Sequence, residues 1–310
     1  MKLTRSIPVP DSVLQIPVLT VTGSRQPQGP CLAVSAGVHG DEYEGVRAIY
    51  ELFRELDPAA MSGTLLCVPV LNPPAHRACS RVNPVDGLNL ARVFPGEPDG
   101  TISNRIAWVF DQQILSRASF YLDLHSGGVR YGMPSMVGYD STDPRGRAAA
   151  EIFGAPVIWG HPVIEPGRTI SAAKARGIPF LYTEAWGAGR IARGDLDMMK
   201  RGILNLMRHL GILEDESPAI APPPRRLSGV GNTDGGIVAS MPGFLMLDVQ
   251  ILDRVQTGQR LGYLVDEWGS TLEEYNAPQD ATIGLTREMP IVEAGDTLFL
   301  LASEEQEGTA

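Results

Sequence analysis

Short apolar runs punctuate the first two-thirds of the chain and predict strands at Cys31–Ala36, Thr64–Leu71, Phe120–Leu124, Pro156–Trp159 and Ile178–Thr183. Between them the apolar spacing lengthens to three and four. Leu196, Met199, Ile203, Leu206, Met207 and Leu210 fall on one face of a helix predicted over Asp195–Leu210, and Gly211 stands where a C-terminal cap belongs. Helical patterns also cover Glu42–Leu56 and Ser103–Arg117. A further helix opens at Asp143-Pro144, with Asp as N-cap and Pro at the first helical position. Strands alternating with helices predict an α/β fold, a mixed and mostly parallel sheet with helices on both faces.

The texture changes near Ser217. Residues 217–227 carry three consecutive prolines, which suit neither a helix interior nor a paired strand, and predict an extended linker. Beyond it, strand-like runs at Gly236–Ala239, Phe244–Leu247, Arg260–Val265, Ala281–Thr286 and Thr297–Leu301 are separated by turn residues, with no helical period. The division expected is therefore 1–216, an α/β domain; 217–227, the linker; 228–303, a small all-β domain; and 304–310, a flexible tail.

Composition narrows the function. Hydrophobic residues make up 43% of the 310, enough for a substantial core. A net charge of -10 and only 6% aromatics argue against nucleic acid as a partner. No apolar run approaches a membrane span, and Pro8, Pro10, Asp11 and Gln15 interrupt any signal-peptide pattern. Cys31, Cys67 and Cys79, an odd count with no CxxC spacing, suit free thiols in a cytoplasmic protein.

The chemistry concentrates at strand ends. His39-Gly-Asp-Glu42 follows one predicted strand and opens a predicted helix; imidazole nitrogen and carboxylate oxygen both suit Zn²⁺, and a third protein ligand would leave the fourth position open. Of the five histidines, His125 ends another strand, in LDLHSG. Ligands at the carboxyl ends of neighbouring strands converge in open α/β sheets. Asp123, two residues earlier, is a candidate to orient that histidine. Glu184, in YTEAWG, ends a third strand, as an acid/base beside a metal or as one half of a salt bridge. Arg81 and Arg92 carry the planar fork that matches a carboxylate or an oxyanion, unless they serve surface ion pairs. His161, His76, His209 and Tyr275 read as residues of loops or exposed positions.

HGDE, then R…DGLNLAR-VFPG, then LDLHSG, then TEAWG resembles the succinylglutamate desuccinylase/aspartoacylase family of the wider zinc-carboxypeptidase-like superfamily, over about Pro30 to Leu210. The resemblance implies one Zn²⁺ per chain, held by His39, Glu42 and His125. It implies Glu184 as general acid/base, Arg81 as the group that polarises the scissile carbonyl, and Arg92 as half of an Asn-Arg pair that grips a substrate carboxylate. The asparagine of that pair falls on Ala91, a departure that bears on which carboxylate the substrate carries and on activity itself. Asn89, which would face the same side as Ala91 on a strand, is the candidate replacement.

The expected function is a zinc amidohydrolase that removes the acyl group from a small N-acylated amino acid or diamine derivative. The alternatives are a zinc carboxypeptidase acting on short peptides and a catalytically impaired binding protein on the same scaffold. The C-terminal β domain resembles the barrel-sandwich fold of biotinyl and lipoyl carriers. Its lack of lysine, since the chain has only Lys2, Lys174 and Lys200, excludes that modification and leaves an active-site rim or an oligomer contact. The resemblance points to a homodimer.

Overall fold

The computed structural model describes residues 1–214 and 223–305. A twisted mixed sheet runs through it, built from β1 (Lys2–Pro8), β2 (Gln15–Thr22), β3 (Gln26–Ala36), β4 (Ser62–Val68), β5 (Phe120–Leu124), β6 (Tyr131–Gly132), β7 (Met136–Asp140), β8 (Val157–His161), β9 (Phe180–Glu184) and β10 (Arg225–Ser228). The order is β1-β2-β4-β3-β5-β9-β7-β8-β10, with β6 off this path. The β4-β3-β5-β9 and β7-β8-β10 pairings are parallel, and β1-β2, β2-β4 and β9-β7 are antiparallel.

Helices α1 (Glu44–Glu55), α2 (Pro73–Ala78), α3 (Ile102–Gln113), α4 (Pro144–Phe153), α5 (Thr169–Ala175) and α6 (Arg193–His209) complete the α/β part. Ile49, Leu52, Phe153, Met199 and Leu206 from α1, α4 and α6 share one core with Phe120, Leu122 and Leu124 of β5. Ile106 and Phe110 of α3 and Ile170 and Ala173 of α5 share the opposite core with Tyr121. Strand alternation thus sends successive β5 side chains to two helical layers, and it turns Asp123 to the Tyr121 side. Helix α6 ends as its sequence predicts: Gly211 takes φ +71°, and the Ile212 N–H donates to the Met207 carbonyl at 2.7 Å.

Three expectations need correction. First, the linker ends before Leu227. The Arg225 N–H donates to the Pro156 carbonyl at 2.9 Å, and β10 pairs in parallel with β8. The prolines stop at Pro224, so from Arg225 onward every residue has the N–H a ladder requires; residues 217–222 lie outside the described residues. Second, Glu304 belongs to no tail. It ends the strand Thr297–Glu304, which pairs with β10, and it accepts from Arg225 Nε at 2.7 Å and Arg254 Nε at 3.0 Å. The sheet therefore continues from the α/β part into the C-terminal strands, with Trp159, Leu227, Leu285 and Leu300 in one core; residues 306–310 lie outside the described residues. Third, Tyr275 is buried in the strand Thr271–Asn276, where its hydroxyl donates to Glu273 Oε2 at 2.5 Å. The N-terminal segment forms the β1-β2 hairpin, with Pro8 at the last position of the edge strand β1, where a missing donor is tolerated.

Candidate active site

Three neighbouring parallel strands deliver the site. β3 leads into His39 and Glu42, β5 into His125, and Glu184 ends β9. The turn between β3 and α1 needs Gly40, because a Cβ there would lie 2.1 Å from the Ala75 carbonyl oxygen. α1 begins only at Glu44, which leaves Glu42 outside the helix with its carboxylate toward the histidines.

Donor atoms of His39, Glu42 and His125 all lie within 4.8 Å of one another, and all three residues are buried. His39 Nδ1 is 2.6 Å from Glu42 Oε1, and His125 Nδ1 is 2.8 Å from Glu42 Oε2. The far nitrogen of each ring is fixed. His125 Nε2 donates to Asp123 Oδ2 at 2.9 Å, and Asp123 is itself held by the hydroxyls of Ser35, at 2.6 Å, and Thr169. His39 Nε2 donates to Asn89 Oδ1 at 3.1 Å; that atom also accepts from the Ala91 N–H at 2.9 Å, which identifies it as the oxygen. Both rings therefore turn Nδ1 inward, the nitrogen each would present to a metal ion. Two imidazoles and a carboxylate at this spacing fit Zn²⁺.

The electrostatics follow from enclosure. Burial, then the Arg81 guanidinium, pushes the His39 imidazole down to about 4. Burial opposes charge on Glu42, but the two histidines hold it well below the usual carboxylate range. Burial likewise opposes charge on His125, yet the Asp123 and Glu42 carboxylates raise it well above its ordinary value. Burial, with Glu42 adding to it, pushes the Glu184 carboxyl up to about 8, and Glu184 Oε2 has no hydrogen-bond partner among the described residues. Arg81 Nη1 lies 3.5 Å from Glu42 Oε1, over the donor set.

His39, Arg81, His125 and Glu184 line a cavity of about 760 Å³, counting the open space at its mouth. Asn89 and Arg92 do not take the places their sequence suggested. Asn89 caps a 3₁₀ turn, Leu90–Arg92, instead of lying on a strand, so its side chain serves His39 and the turn. Arg92 lines the cavity but reaches across to Asp234. His161 is no idle loop residue. It ends β8, stacks on Tyr182 at 5.5 Å, and donates through Nδ1 to the Gly229 carbonyl at 2.7 Å. Its Nε2 then accepts from the Tyr182 hydroxyl at 2.7 Å. Burial holds its pKa at about 4, so the ring is neutral. A Cβ on Gly231 would strike it at 2.4 Å.

Sequence reasoning missed Arg168, which lines the cavity and donates through Nη2 to Asn232 Oδ1 at 2.9 Å. Among the described residues no carboxylate lies within ion-pair distance of it. It precedes the seven-residue α5, too short to read from periodicity. A signal for His161 did exist, since it ends a strand as His125 does.

The catalytic-domain model of the succinylglutamate desuccinylase/aspartoacylase family matches residues 28–210. The chain is 30% identical over 293 residues to the N-alpha-acetyl-L-2,4-diaminobutyric acid deacetylase of Halomonas elongata, covering 92% of this chain and 85% of the relative. Among solved structures, a succinylglutamate desuccinylase/aspartoacylase from Rhodobacter sphaeroides superposes with a TM-score of 0.86 at 30% identity, over 99% of this chain and 95% of that one. The product-bound ectoine utilization protein EutE (DoeB) from Ruegeria pomeroyi gives 0.85 at 28% identity, over 98% and 94%.

Proposed function

The chain belongs to the succinylglutamate desuccinylase/aspartoacylase family, and from that premise we propose that it is a zinc-dependent deacylase of small N-acylated amino acids or diamine derivatives. The observation that carries the reading is the buried His39–Glu42–His125 donor set, whose two histidines line one cavity together with Glu184 and Arg81. The Halomonas relative acts, by its name, on an N-acetylated diamino acid.

His39, Glu42 and His125 would hold the ion, which when bound supplies a Lewis acid that activates water and polarises an acyl oxygen. The remaining work falls to the chain. Arg81 directs its guanidinium at the negative charge that develops on the acyl oxygen as the carbonyl becomes tetrahedral. Glu184 takes the proton of the attacking water and returns it to the departing nitrogen, a role open to a buried carboxyl whose Oε2 has no hydrogen-bond partner among the described residues. The C–O bond forms first and the acyl C–N bond then breaks as the nitrogen is protonated, giving a carboxylic acid and a free amine. Arg168, the cavity arginine without a carboxylate partner among the described residues, is placed to receive the α-carboxylate. The test combines elemental analysis, expected to give about one zinc per chain, with a panel of N-acetyl, N-succinyl and N-formyl amino acids set against dipeptides. Turnover of peptides alone would favour a carboxypeptidase, and no turnover by zinc-loaded protein would favour a binding protein.

A further inference from the structure

Three arginines line the cavity, and they are not equivalent. Arg81 lies over the metal donors, and Arg168 has no carboxylate partner among the described residues. Arg92 is fully engaged. Its Nε donates to Asp234 Oδ2 at 2.8 Å and its Nη2 to Asp234 Oδ1 at 3.0 Å, the paired geometry in which a guanidinium binds a carboxylate. Its Nη1 donates to the Ala91 carbonyl at 2.9 Å. Asp234 arrives from a 3₁₀ turn 142 residues further on, just after β10. That turn is fixed. The Asp234 N–H donates to Asn232 Oδ1 at 3.0 Å, the same oxygen that receives Arg168, and Thr297 Oγ1 donates to the Thr233 carbonyl at 3.1 Å. The Arg92 hydrogen bonds hold the Asp234 carboxyl below its usual range, so it is charged at neutral pH.

We infer that Asp234 is a specificity-determining residue, an internal carboxylate on Arg92 that bars a second substrate carboxylate from that part of the cavity. With Arg92 neutralised, one cation beyond Arg81 remains, and the site suits N-acyl amino acids with a single carboxylate. A second carboxylate, on the side chain or on the acyl group, would meet the Asp234 charge instead of a free guanidinium. Ala91 agrees with this, because its methyl offers such a group no hydrogen bond.

The inference rests on the deacylase reading, and a matched substrate pair separates the two. N-acetylaspartate and N-acetylasparagine have nearly the same shape and differ in the second charge. Zinc-loaded wild-type protein is expected to favour the amide. Asp234→Asn should raise kcat/KM for N-acetylaspartate outright and shift the acid-to-amide ratio at least about tenfold, the scale of one hydrogen-bonded charge. Asp234→Ala should do the same, and adding Arg92→Met to Asp234→Asn should cancel the gain. A gain on one substrate cannot come from damage to the fold, which lowers both. Equal loss on both substrates in the Asp234 variants, or a wild type that already prefers the acid, would overturn the inference and leave the deacylase reading standing. Wild-type protein that hydrolyses neither these nor any other N-acyl amino acid would overturn both.

Discussion

Acid should unfold this protein partly through His161. The ring is almost wholly enclosed, with the Trp159 and Tyr182 ring centroids each 5.5 Å away. Burial holds its pKa at about 4, against 6.5 for the exposed imidazole. Between those values the unfolded chain binds a proton that the folded chain refuses. The unfolded state therefore holds more protons, and stability rises with pH across the window. It is complete above pH 6.5 and is lost as pH falls toward 4. At about 1.4 kcal/mol per pH unit, the gap corresponds to about 3 kcal/mol, a large part of a net stability of roughly 5–15 kcal/mol. His161→Phe keeps the ring stack and removes the titration. It leaves the Gly229 carbonyl and the Tyr182 hydroxyl without this partner, a cost of about 1–3 kcal/mol that does not depend on pH. Urea denaturation of both proteins, metal-stripped so that His39 behaves alike in each, should show the variant less stable near neutral pH. The deficit should close by about 3 kcal/mol toward pH 4. Stability curves that stay parallel from pH 7 to 4 would refute a neutral, buried His161.

Glu184→Gln should retain its zinc by elemental analysis and lose at least about a hundredfold in kcat, since the amide cannot carry the proton; unchanged turnover would remove Glu184 from the chemistry. Asn89→Leu removes the acceptor from His39 Nε2 and should weaken zinc affinity about 10–100-fold in a chelator competition, with Asn89→Asp restoring part of it. Gly202→Ala should lower stability in chemical denaturation by about 1–3 kcal/mol, although alanine in a helix interior ordinarily gains about 1 kcal/mol over glycine. The reason is the Phe153 ring, which a Cβ on Gly202 would meet at 2.1 Å.

The readable parts of this molecule are those whose cause is local. His39, Glu42, His125 and Glu184 stood out because each follows an apolar run of strand length, and a parallel sheet gathers such strand ends at one edge. Helix α6 was readable for the same reason, its apolar stripe and cap lying within twenty residues of one another. β7 was missed. Its five residues contain Gly138, which looks like a breaker in sequence, yet a Cβ at that position would lie 2.1 Å from the Tyr182 ring. The glycine is there to admit the tyrosine that His161 then holds, and no local pattern carries that information. The linker was misjudged because prolines show where pairing is forbidden, without showing how soon it resumes.

Arg92 states the same division most sharply. Its residue type and its place after LNLA identify a cavity arginine, but what that arginine does depends on its partner. Had the fork remained free, the cavity would hold an extra positive charge and favour doubly acidic substrates. Asp234, 142 residues away and beyond the proline-rich segment, reverses that preference through two hydrogen bonds. The C-terminal strands are thereby part of the specificity of the α/β site. They carry the Gly229–Asp234 wall that takes His161, Arg168 and Arg92 in turn, and the sheet that joins them to β10 keeps this wall in register with the His39–Glu42–His125 donor set. Substrate choice in this chain is therefore set at the junction of its two parts, where one exposed carboxylate decides the sign of a cavity wall while the donor set below is left unchanged.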